Sequence, residues 1–435
     1  MTIKPQNLEE KLVWYTIIGT YGLYFLGAQY IWVGALAWFL TLYLCKRLWE
    51  QTEYTPIAEK ITIPAVIWVW IICILIMGLA LIMGHLDFNL GDFQLISSLN
   101  DFAKSTASLA LFPLIGCLKI RPKLICRAAC IICLQSLILI GILYLGIALH
   151  LPPIEYTSPL HNIGRGNINY YSVFLFESGF DPLAPRNNEI RLSLFTPWAP
   201  ALGLVGNVYF FLGSQESNRK WRWIGMISAI AMILASVSRS AIICLPSVLL
   251  LNWILTVFTR PVTQISLGIV SFLAGLFSPT LINSLEAFEE GFTKARSGSS
   301  KVRRVLREIE IDRWWKEAPI WGHGMPEIPG PKTVEHMPIG SHDTWCALLF
   351  IKGLVGFVAM AVPFLWSFID LIIKVQKSKT ARVGLSILLV LFIFTFSEGL
   401  ETLAFTFWPG LVMMGIAFKE KAPTIIKNDK KYALL

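Results

Sequence analysis

The residues best suited to chemistry lie where a long polar stretch ends and an apolar stretch begins, at Ser341-His342-Asp343-Thr344. A histidine near its ordinary pKa of about 6.5 accepts a proton from an alcohol at neutral pH. Arg303, Arg307 and Arg313 precede this junction. A guanidinium binds phosphate oxygens in pairs and keeps its charge. The combination suits proton transfer from a hydroxyl that lies beside a bound phosphate group.

One simpler interpretation of this segment stays open, and one further residue could assist His342. Ser341 could cap the apolar helix, which would leave His342 as an ordinary residue at the membrane interface. Asp343 could orient the imidazole of His342, although consecutive residues do not share a face of a helix. His323 and His336 are weaker candidates for the same chemistry.

Arg239 is a second anomaly, because it lies in Ser236–Ser240 between two apolar stretches with almost no loop. A charge at the centre of a membrane helix costs about 2.5–3.5 kcal/mol on insertion scales. An arginine at a helix end that reaches the interface is one interpretation, and a contact with an anion is the other. We expect Arg191, Arg239 and Arg303 to converge on one outward-facing pocket.

The amino-acid composition predicts the kind of structure that positions these residues. The chain has 435 residues, of which 55% are hydrophobic and 15% charged, and its mean hydropathy is +0.61. Soluble proteins carry about 25% charged residues. We therefore predict an all-α, polytopic membrane protein with about twelve spans. The predicted spans are 13–28, 31–46, 62–84, 105–118, 124–150, 196–213, 221–237, 241–258, 262–282, 343–369, 383–398 and 402–418.

The distribution of Lys and Arg predicts the orientation of this single membrane domain, 1–435. The short connections that become cytoplasmic when the N-terminus is cytoplasmic are rich in both residues. Two long loops, 151–195 and 283–342, then fall on the periplasmic side, and the basic tail 419–435 lies in the cytoplasm. This topology accounts for most of the net charge of +9, so the bilayer and not a nucleic acid is the expected partner.

The larger loop is predicted to contain an amphipathic helix from Lys301 to Lys316 that lies on the outer membrane surface. Val302, Val305, Leu306 and Ile309 recur there at helical spacing. The acidic run Glu308-x-Glu310-x-Asp312 is interpreted as the solvated side of this helix. The first loop is rich in Pro, Gly and Asn and is predicted to be irregular.

Several kinds of site are not expected. The eight cysteines fall in or beside apolar spans, and Cys130-x-x-Cys133 has no neighbouring histidine or acid. We predict neither disulfide bonds nor a zinc site. A P-loop and a dinucleotide fingerprint are both missing from the sequence. No metal and no cofactor is therefore expected.

Three segments together resemble the O-antigen ligase and polymerase superfamily of bacterial membrane glycosyltransferases. Ser236–Ser240 is similar to the family's Ser-Arg-Ser helix junction. The run 296–303, with Trp315–Gly324, resembles its Arg-x-x-Ser-Ser-x-x-Arg and Pro-x-x-Gly-x-Gly pattern. Ser341–Thr344, followed by 352–356, resembles its Ser-His-x-Thr helix start, where members often have Asn or Ser at the position of Asp343. A looser likeness at 191–197 is to capsule and exopolysaccharide members.

The resemblance implies a function as well as a fold. It implies an inverting, metal-independent transfer on the periplasmic side of the bacterial inner membrane, from a polyprenyl-diphosphate-linked glycan donor to a glycan or lipid acceptor. By position, His342 would be the general base, and Arg239 and Arg303 would bind the diphosphate with help from Arg191. Further substrate contacts are expected at Arg307, Arg313 and Lys352. Whether Arg303, Arg304, Arg307 or Arg313 meets the diphosphate is left open.

Three alternatives for the function are carried forward. Ligase and polymerase share the same pattern, because they differ in the acceptor. A lipid-linked glycan flippase or secondary transporter would also have about twelve spans, but such carriers tend to have internal repeats, and this sequence has none. A non-catalytic scaffold would need neither His342 nor Arg239. Polysaccharide export machinery is a further expected partner.

Overall fold

A computed structural model describes residues 3–56, 60–152, 154–164, 168–177, 190–257, 261–280, 282–284, 297–334 and 336–420. Within these ranges the fold is almost entirely helical. The helices are Leu8–Ile18, Thr20–Phe25, Gln29–Trp49, Ala65–Asp87, Asp92–Lys104, Ser108–Ile115, Pro122–Ala148, His161–Gly164, Ala199–Ser214, Arg219–Ala235, Arg239–Val257, Pro261–Leu276, Ser297–Glu317, Thr344–Lys374, Lys379–Phe394 and Leu400–Phe418. Arg165, Arg186, Arg296 and the tail from 421 onward lie outside the described residues.

Six of the described helices are long and apolar enough to cross a membrane, or seven if one bent pair of helices counts as a span. The six are Gln29–Trp49, Ala65–Asp87, Pro122–Ala148, Arg239–Val257, Thr344–Lys374 and Leu400–Phe418. They establish a multi-pass membrane protein, whereas the predicted count of about twelve is not confirmed. Helices do occur at the other predicted spans, but each is too short. Lys379–Phe394, for example, has 16 residues, which rise about 24 Å.

The first long loop contains short strands as well as irregular backbone. Glu155–Thr157 pairs antiparallel with Ser172–Phe174, and Phe176–Glu177 pairs antiparallel with Arg191–Leu192. The two strand pairs return the chain to the bundle just before the Ala199–Ser214 helix. The predicted irregular loop is therefore ordered by strand pairing at its described ends.

The centre of the bundle is the Leu400–Phe418 helix, which is buried along nearly its whole length. It packs against Ser108–Ile115, Lys379–Phe394 and Ala199–Ser214. The approach to the first of these is very close, because a Cβ at Gly415 would lie 2.0 Å from a backbone carbonyl of that helix. Small residues permit such contacts between membrane helices, where packing drives association.

The Thr344–Lys374 helix is broken at Gly353, where φ is 62° and ψ is −164°. The backbone of 319–324 fills this break, and Leu354 N–H donates to the Pro319 carbonyl at 3.0 Å. Backbone that leaves the helical conformation inside a membrane is tolerated where other protein groups satisfy its hydrogen bonds. The loop thus completes the span into which it inserts.

Glycine is required at the crossing of loop and helix. A Cβ at Gly353 would lie 2.2 Å from the carbonyl oxygen of Ile320, and one at Gly322 would lie 2.5 Å from Gly353 N. Both residues also have a positive φ, which is a backbone conformation that residues with a Cβ rarely adopt. The Gly-x-Gly spacing of the loop therefore serves a backbone-to-backbone contact.

The predicted amphipathic helix exists as Ser297–Glu317, here called the arginine helix, but its apolar stripe does not face lipid. Val302 and Leu306 are buried, and the same cluster contains Val334, Ile339, Phe350 and Ile351. The expectation that the apolar stripe faces lipid is therefore wrong, because other parts of the protein cover it, and the location of the helix at the membrane surface stays a prediction. Its packing on the Thr344–Lys374 helix brings the arginines to the His342 junction.

Candidate active site

The helix that follows His342 begins at Thr344 and is capped by Asp343. The Asp343 carboxylate accepts from Trp345 N–H at 2.8 Å and from Cys346 N–H at 3.1 Å. Its other oxygen meets Arg307 Nε at 2.9 Å. Asp343 is therefore committed to the helix start and to the arginine helix, and neither Ser341 as the cap nor Asp343 as the partner of His342 describes the junction.

Thr344 binds the segment that connects the Lys379–Phe394 and Leu400–Phe418 helices. Its hydroxyl donates to the Glu398 carbonyl at 2.6 Å and accepts from Leu400 N–H at 3.0 Å. Thr344 N–H donates to the Thr395 carbonyl at 3.0 Å. These bonds fix the height of His342 in the bundle, which gives the threonine of the Ser-His-x-Thr pattern a structural task.

His342 itself is half-buried and contacts its neighbour. Its Nδ1 lies 2.5 Å from Ser341 Oγ, and the Ser341 hydroxyl donates its proton to the Pro338 carbonyl at 2.7 Å. Burial, together with the nearby positive charge of Arg303, lowers the pKa of His342 to about 4. The imidazole is consequently neutral at pH 7, which is the form that accepts a proton.

Glu310 lies inside the arginine helix at the junction, where it is 1% exposed. Its carboxylate accepts from Gly340 N–H at 2.8 Å, two residues before His342. The interpretation of Glu308-x-Glu310-x-Asp312 as one solvated side is thus wrong for Glu310. Burial raises its pKa to about 7, with Asp343 adding to the rise and Arg307 opposing it.

The raised pKa of Glu310 predicts a pH-dependent effect on stability. Because the folded-state pKa lies above its ordinary 4.5, this group's contribution is fully present below pH 4.5 and is lost as the pH rises through about 7. Glu310→Gln keeps an acceptor for Gly340 without the charge. It should raise the free energy of unfolding at pH 8 by up to about 3 kcal/mol and leave it unchanged near pH 4.5.

Thermal unfolding in detergent at pH 4.5 and pH 8 measures this difference. Glu308→Gln is the matched control, since Glu308 is exposed on the same helix. Equal melting of Glu310→Gln and the parent protein at pH 8 would contradict the assigned burial of a charged carboxylate.

Arg307 and Arg313, two of the residues predicted to contact substrate, bind other groups of the protein. Arg307 Nη2 donates to the Phe396 carbonyl at 2.7 Å, besides the ion pair of Arg307 with Asp343. Arg313 pairs with Glu317 and Glu327, and its guanidinium lies 5.3 Å from the centre of the Phe350 ring. Apart from the pair with Glu317, which lies on the same helix, these contacts hold the arginine helix against the rest of the protein. Binding of substrate by Arg307 and Arg313 stays a prediction.

Lys352 lies inside the membrane bundle and is 3% exposed. Its Nζ meets the two carboxylate oxygens of Glu401 at 2.9 and 2.7 Å. This ion pair joins the broken helix to the central Leu400–Phe418 helix, near the start of the latter. A role for Lys352 in binding substrate also stays a prediction.

Arg191 and Arg239 lie at the same end of the bundle as His342. Trp198, at the start of the Ala199–Ser214 helix, donates its indole N–H to Glu398 Oε2 at 2.7 Å, and the Glu398 carbonyl binds Thr344. Arg191 pairs in the strand that leads into Trp198.

Arg239 begins its own helix beside the same Ala199–Ser214 helix. A Cβ at Gly203 would lie 2.5 Å from Ala241 Cβ and 3.3 Å from Ser238 Cβ, so the two helix starts touch. The sharp turn before Arg239 uses a positive φ of 47° at Val237. Arg239 is therefore near the membrane-helix end and not at mid-depth, which relieves the cost expected for a buried charge.

An apolar cavity of about 430 Å³ opens beside the junction. Its lining combines the Arg307–Asp343 pair with aromatic side chains, and consists of Arg307, Asp343, Trp345, Cys346, Phe357, Phe392 and Phe396. The cavity thus presents a charged edge and an apolar wall next to His342. Among the described residues, no group of three or more His, Cys, Asp or Glu side chains is arranged to hold a metal ion.

Sequence reasoning missed three acids of this region, namely Glu310, Glu398 and Glu401. Two of them were detectable in principle, because Glu398 and Glu401 interrupt an otherwise apolar stretch at 383–418. Acids at such positions usually face the bundle interior and a partner. Glu310 gives no such signal, since it stands among the charged residues of a polar helix.

Comparison with known families identifies the segment that carries this site. The family model described as O-antigen ligase matches residues 224–361, which include Arg239, Arg303 and His342. No curated protein matches the chain. The matched segment connects the chain with polysaccharide biosynthesis and with glycosyltransferase-like enzymes. The protein is therefore a multi-pass membrane protein in which residues 224–361 are similar to the O-antigen ligase family, as the sequence motifs predict.

Proposed function

We propose that the chain is an inverting glycosyltransferase that transfers or polymerises a polyprenyl-diphosphate-linked glycan on the periplasmic side of the bacterial inner membrane. The acceptor is a glycan or a lipid, and the reaction uses neither a metal nor a cofactor. Both termini lie in the cytoplasm in this proposal. The observation that carries it is the neutral, half-buried His342, which is held at a helix start beside the arginine helix.

The chemistry of the surrounding surface supports a lipid-linked donor. The cavity beside His342 has an aromatic wall that suits an isoprenoid chain, and its edge holds the Arg307 guanidinium. Arg303 lies close enough to His342 for its charge to lower the pKa of the imidazole. A donor with its lipid against the wall would therefore carry its diphosphate towards these arginines.

In the proposed reaction, His342 takes the proton of the acceptor hydroxyl while the hydroxyl oxygen attacks the anomeric carbon of the donor. The bond from that carbon to the diphosphate oxygen breaks, and the polyprenyl diphosphate leaves with the electron pair. Attack opposite the leaving group inverts the configuration. Arg239 and Arg303 bind the diphosphate, with Arg191 assisting, and fixed cations of this kind stabilise the negative charge that develops.

The charges of the site couple donor binding to the basicity of His342. In the free protein, burial and the charge of Arg303 both oppose a proton on the imidazole, and the pKa is about 4. A bound diphosphate would offset the Arg303 charge and place negative charge near the ring, which favours the imidazolium form. The base would thus become stronger once the donor is bound.

The test is transfer by the purified protein in vesicles, with a polyprenyl-diphosphate-linked glycan as donor. We expect a product with inverted anomeric configuration and turnover in the presence of a chelator. Retention of configuration, or turnover that stops with the chelator and returns with a divalent ion, would overturn the proposed mechanism.

The same assay over a range of pH tests the coupling. The acid limb of kcat/KM reports the free enzyme and should lie near pH 4. The acid limb of kcat reports the complex and should lie at higher pH, since a raised pKa means that His342 stays protonated to higher pH. Coincident limbs would contradict the charge coupling.

A further inference from the structure

Two hydrogen bonds converge on the hydroxyl of Ser341. Its Oγ lies 2.7 Å from the Pro338 carbonyl oxygen and 2.5 Å from His342 Nδ1. A carbonyl oxygen only accepts, so the single hydroxyl proton of Ser341 goes to Pro338. The contact with the ring then needs a second proton, which only Nδ1–H supplies.

The two hydrogen bonds of Ser341 determine which tautomer the neutral imidazole of His342 adopts. When Nδ1 carries the proton, Nε2 carries the lone pair, because a neutral histidine has one donor and one acceptor nitrogen. No described residue makes a hydrogen bond to Nε2 of His342. The nitrogen that can accept a proton is therefore the one that is left open.

The Pro338 carbonyl, which accepts the proton of the Ser341 hydroxyl, lies in a loop whose position is fixed by other contacts. Pro338 precedes Ile339, which is buried in the cluster under the arginine helix, and Gly340 N–H is bound by the buried Glu310. The loop from 338 to 340 is thus held on both sides. Ser341 connects this fixed backbone to the side chain of His342.

We infer that Ser341 is a positioning residue that selects the Nδ1–H tautomer of His342, so that Nε2 receives the proton of the acceptor hydroxyl. The inference rests on the proposed function, in which His342 is the base. Proton transfer makes the ring an imidazolium, and its Nδ1–H keeps donating to Ser341 Oγ. Ser341 takes the task that sequence reasoning gave to Asp343, whose carboxylate is bound elsewhere.

Two variants separate this task from packing. Ser341 is exposed, so Ser341→Ala removes the acceptor for Nδ1–H without opening the core. Ser341→Thr keeps the hydroxyl and is the conservative control. We expect Ser341→Ala to lower kcat roughly 10–100-fold at unchanged KM, the size of loss typical when the partner that orients a metal-binding histidine is removed. We expect Ser341→Thr to restore most of it.

A second measurement reports the tautomer directly. Nitrogen NMR of the protein with labelled histidine, with the His342 signal assigned by its loss in His342→Ala, should give a protonated Nδ1 in the parent protein. In Ser341→Ala the Nε2–H form should gain population. An unchanged tautomer, unchanged kcat, or a loss that Ser341→Thr does not restore would overturn the inference.

The His342→Ala variant separates a failure of the proposed function from a failure of the positioning role of Ser341. If His342→Ala is inactive while Ser341→Ala has full activity, the proposed function stands and the positioning task of Ser341 falls. If folded His342→Ala keeps normal activity, the base assignment itself falls. In an inactive His342→Ala background, adding Ser341→Ala should have no further effect, because the hydroxyl acts only through the ring.

Discussion

Cells that carry His342→Ala as their only copy should accumulate the polyprenyl-linked glycan on the outer face of the inner membrane and lose the finished polymer. The reason is that no other described side chain combines the neutral imidazole, the helix start and the neighbouring arginines. A positioned general base contributes about 10²–10⁴-fold to rate. A loss of this size removes detectable polymer while leaving donor supply intact.

The measurement compares the lipid-linked pool on each face with the polymer at equal protein level. His336→Asn is the matched control: His336 is exposed in the same loop, and its positive φ of 62° is one that asparagine tolerates. It should leave the polymer unchanged. Normal polymer in His342→Ala would refute the base assignment, and an intermediate trapped on the cytoplasmic face would favour the transporter.

The His342 junction is predictable from sequence because its signals are local. A polar loop, a histidine, a capping residue and an apolar run follow one another within a few positions. The helical part of the arginine helix is predictable for the same reason, since Val302, Val305, Leu306 and Ile309 recur at helical spacing. The residues that cover this apolar stripe are distant in sequence. Local patterns therefore do not predict that the stripe is buried against protein and not against lipid.

The missed features all depend on contacts between distant segments. Glu310 is buried because Gly340 returns to it across 30 residues of chain. The break at Gly353 interrupts an apolar run that reads as one continuous span, and it exists because the backbone of 319–324 inserts there. Composition and periodicity do not contain such pairings.

The predicted orientation and the roles of the arginines stay open to experiment. Packing places Arg191, Arg239 and His342 at one end of the bundle through Trp198, Gly203 and Glu398. A direct measurement of donor binding by single arginine variants would separate the diphosphate contacts from the arginines that hold the loop.

Lys352→Met should destabilise the protein by about 3–5 kcal/mol, because it leaves Glu401 as a charge without its ion-pair partner inside the bundle. Replacement of both partners removes that penalty, and a buried ion pair exchanged for well-packed apolar residues is often neutral or better. The double variant Lys352→Met with Glu401→Leu should therefore melt close to the parent protein. Lys332→Met is the matched control, since Lys332 is exposed in the loop before His342.

The double variant also decides the role of Lys352. Thermal unfolding gives its stability, and transfer by the same preparation gives its activity. If it is folded and active, Lys352 acts only through its pair with Glu401, and the prediction that it binds substrate falls. If it is folded and inactive, substrate binding by Lys352 gains support. A Lys352→Met protein as stable as the parent would mean that the pair contributes nothing, against the 3% exposure of Lys352 and its two short contacts.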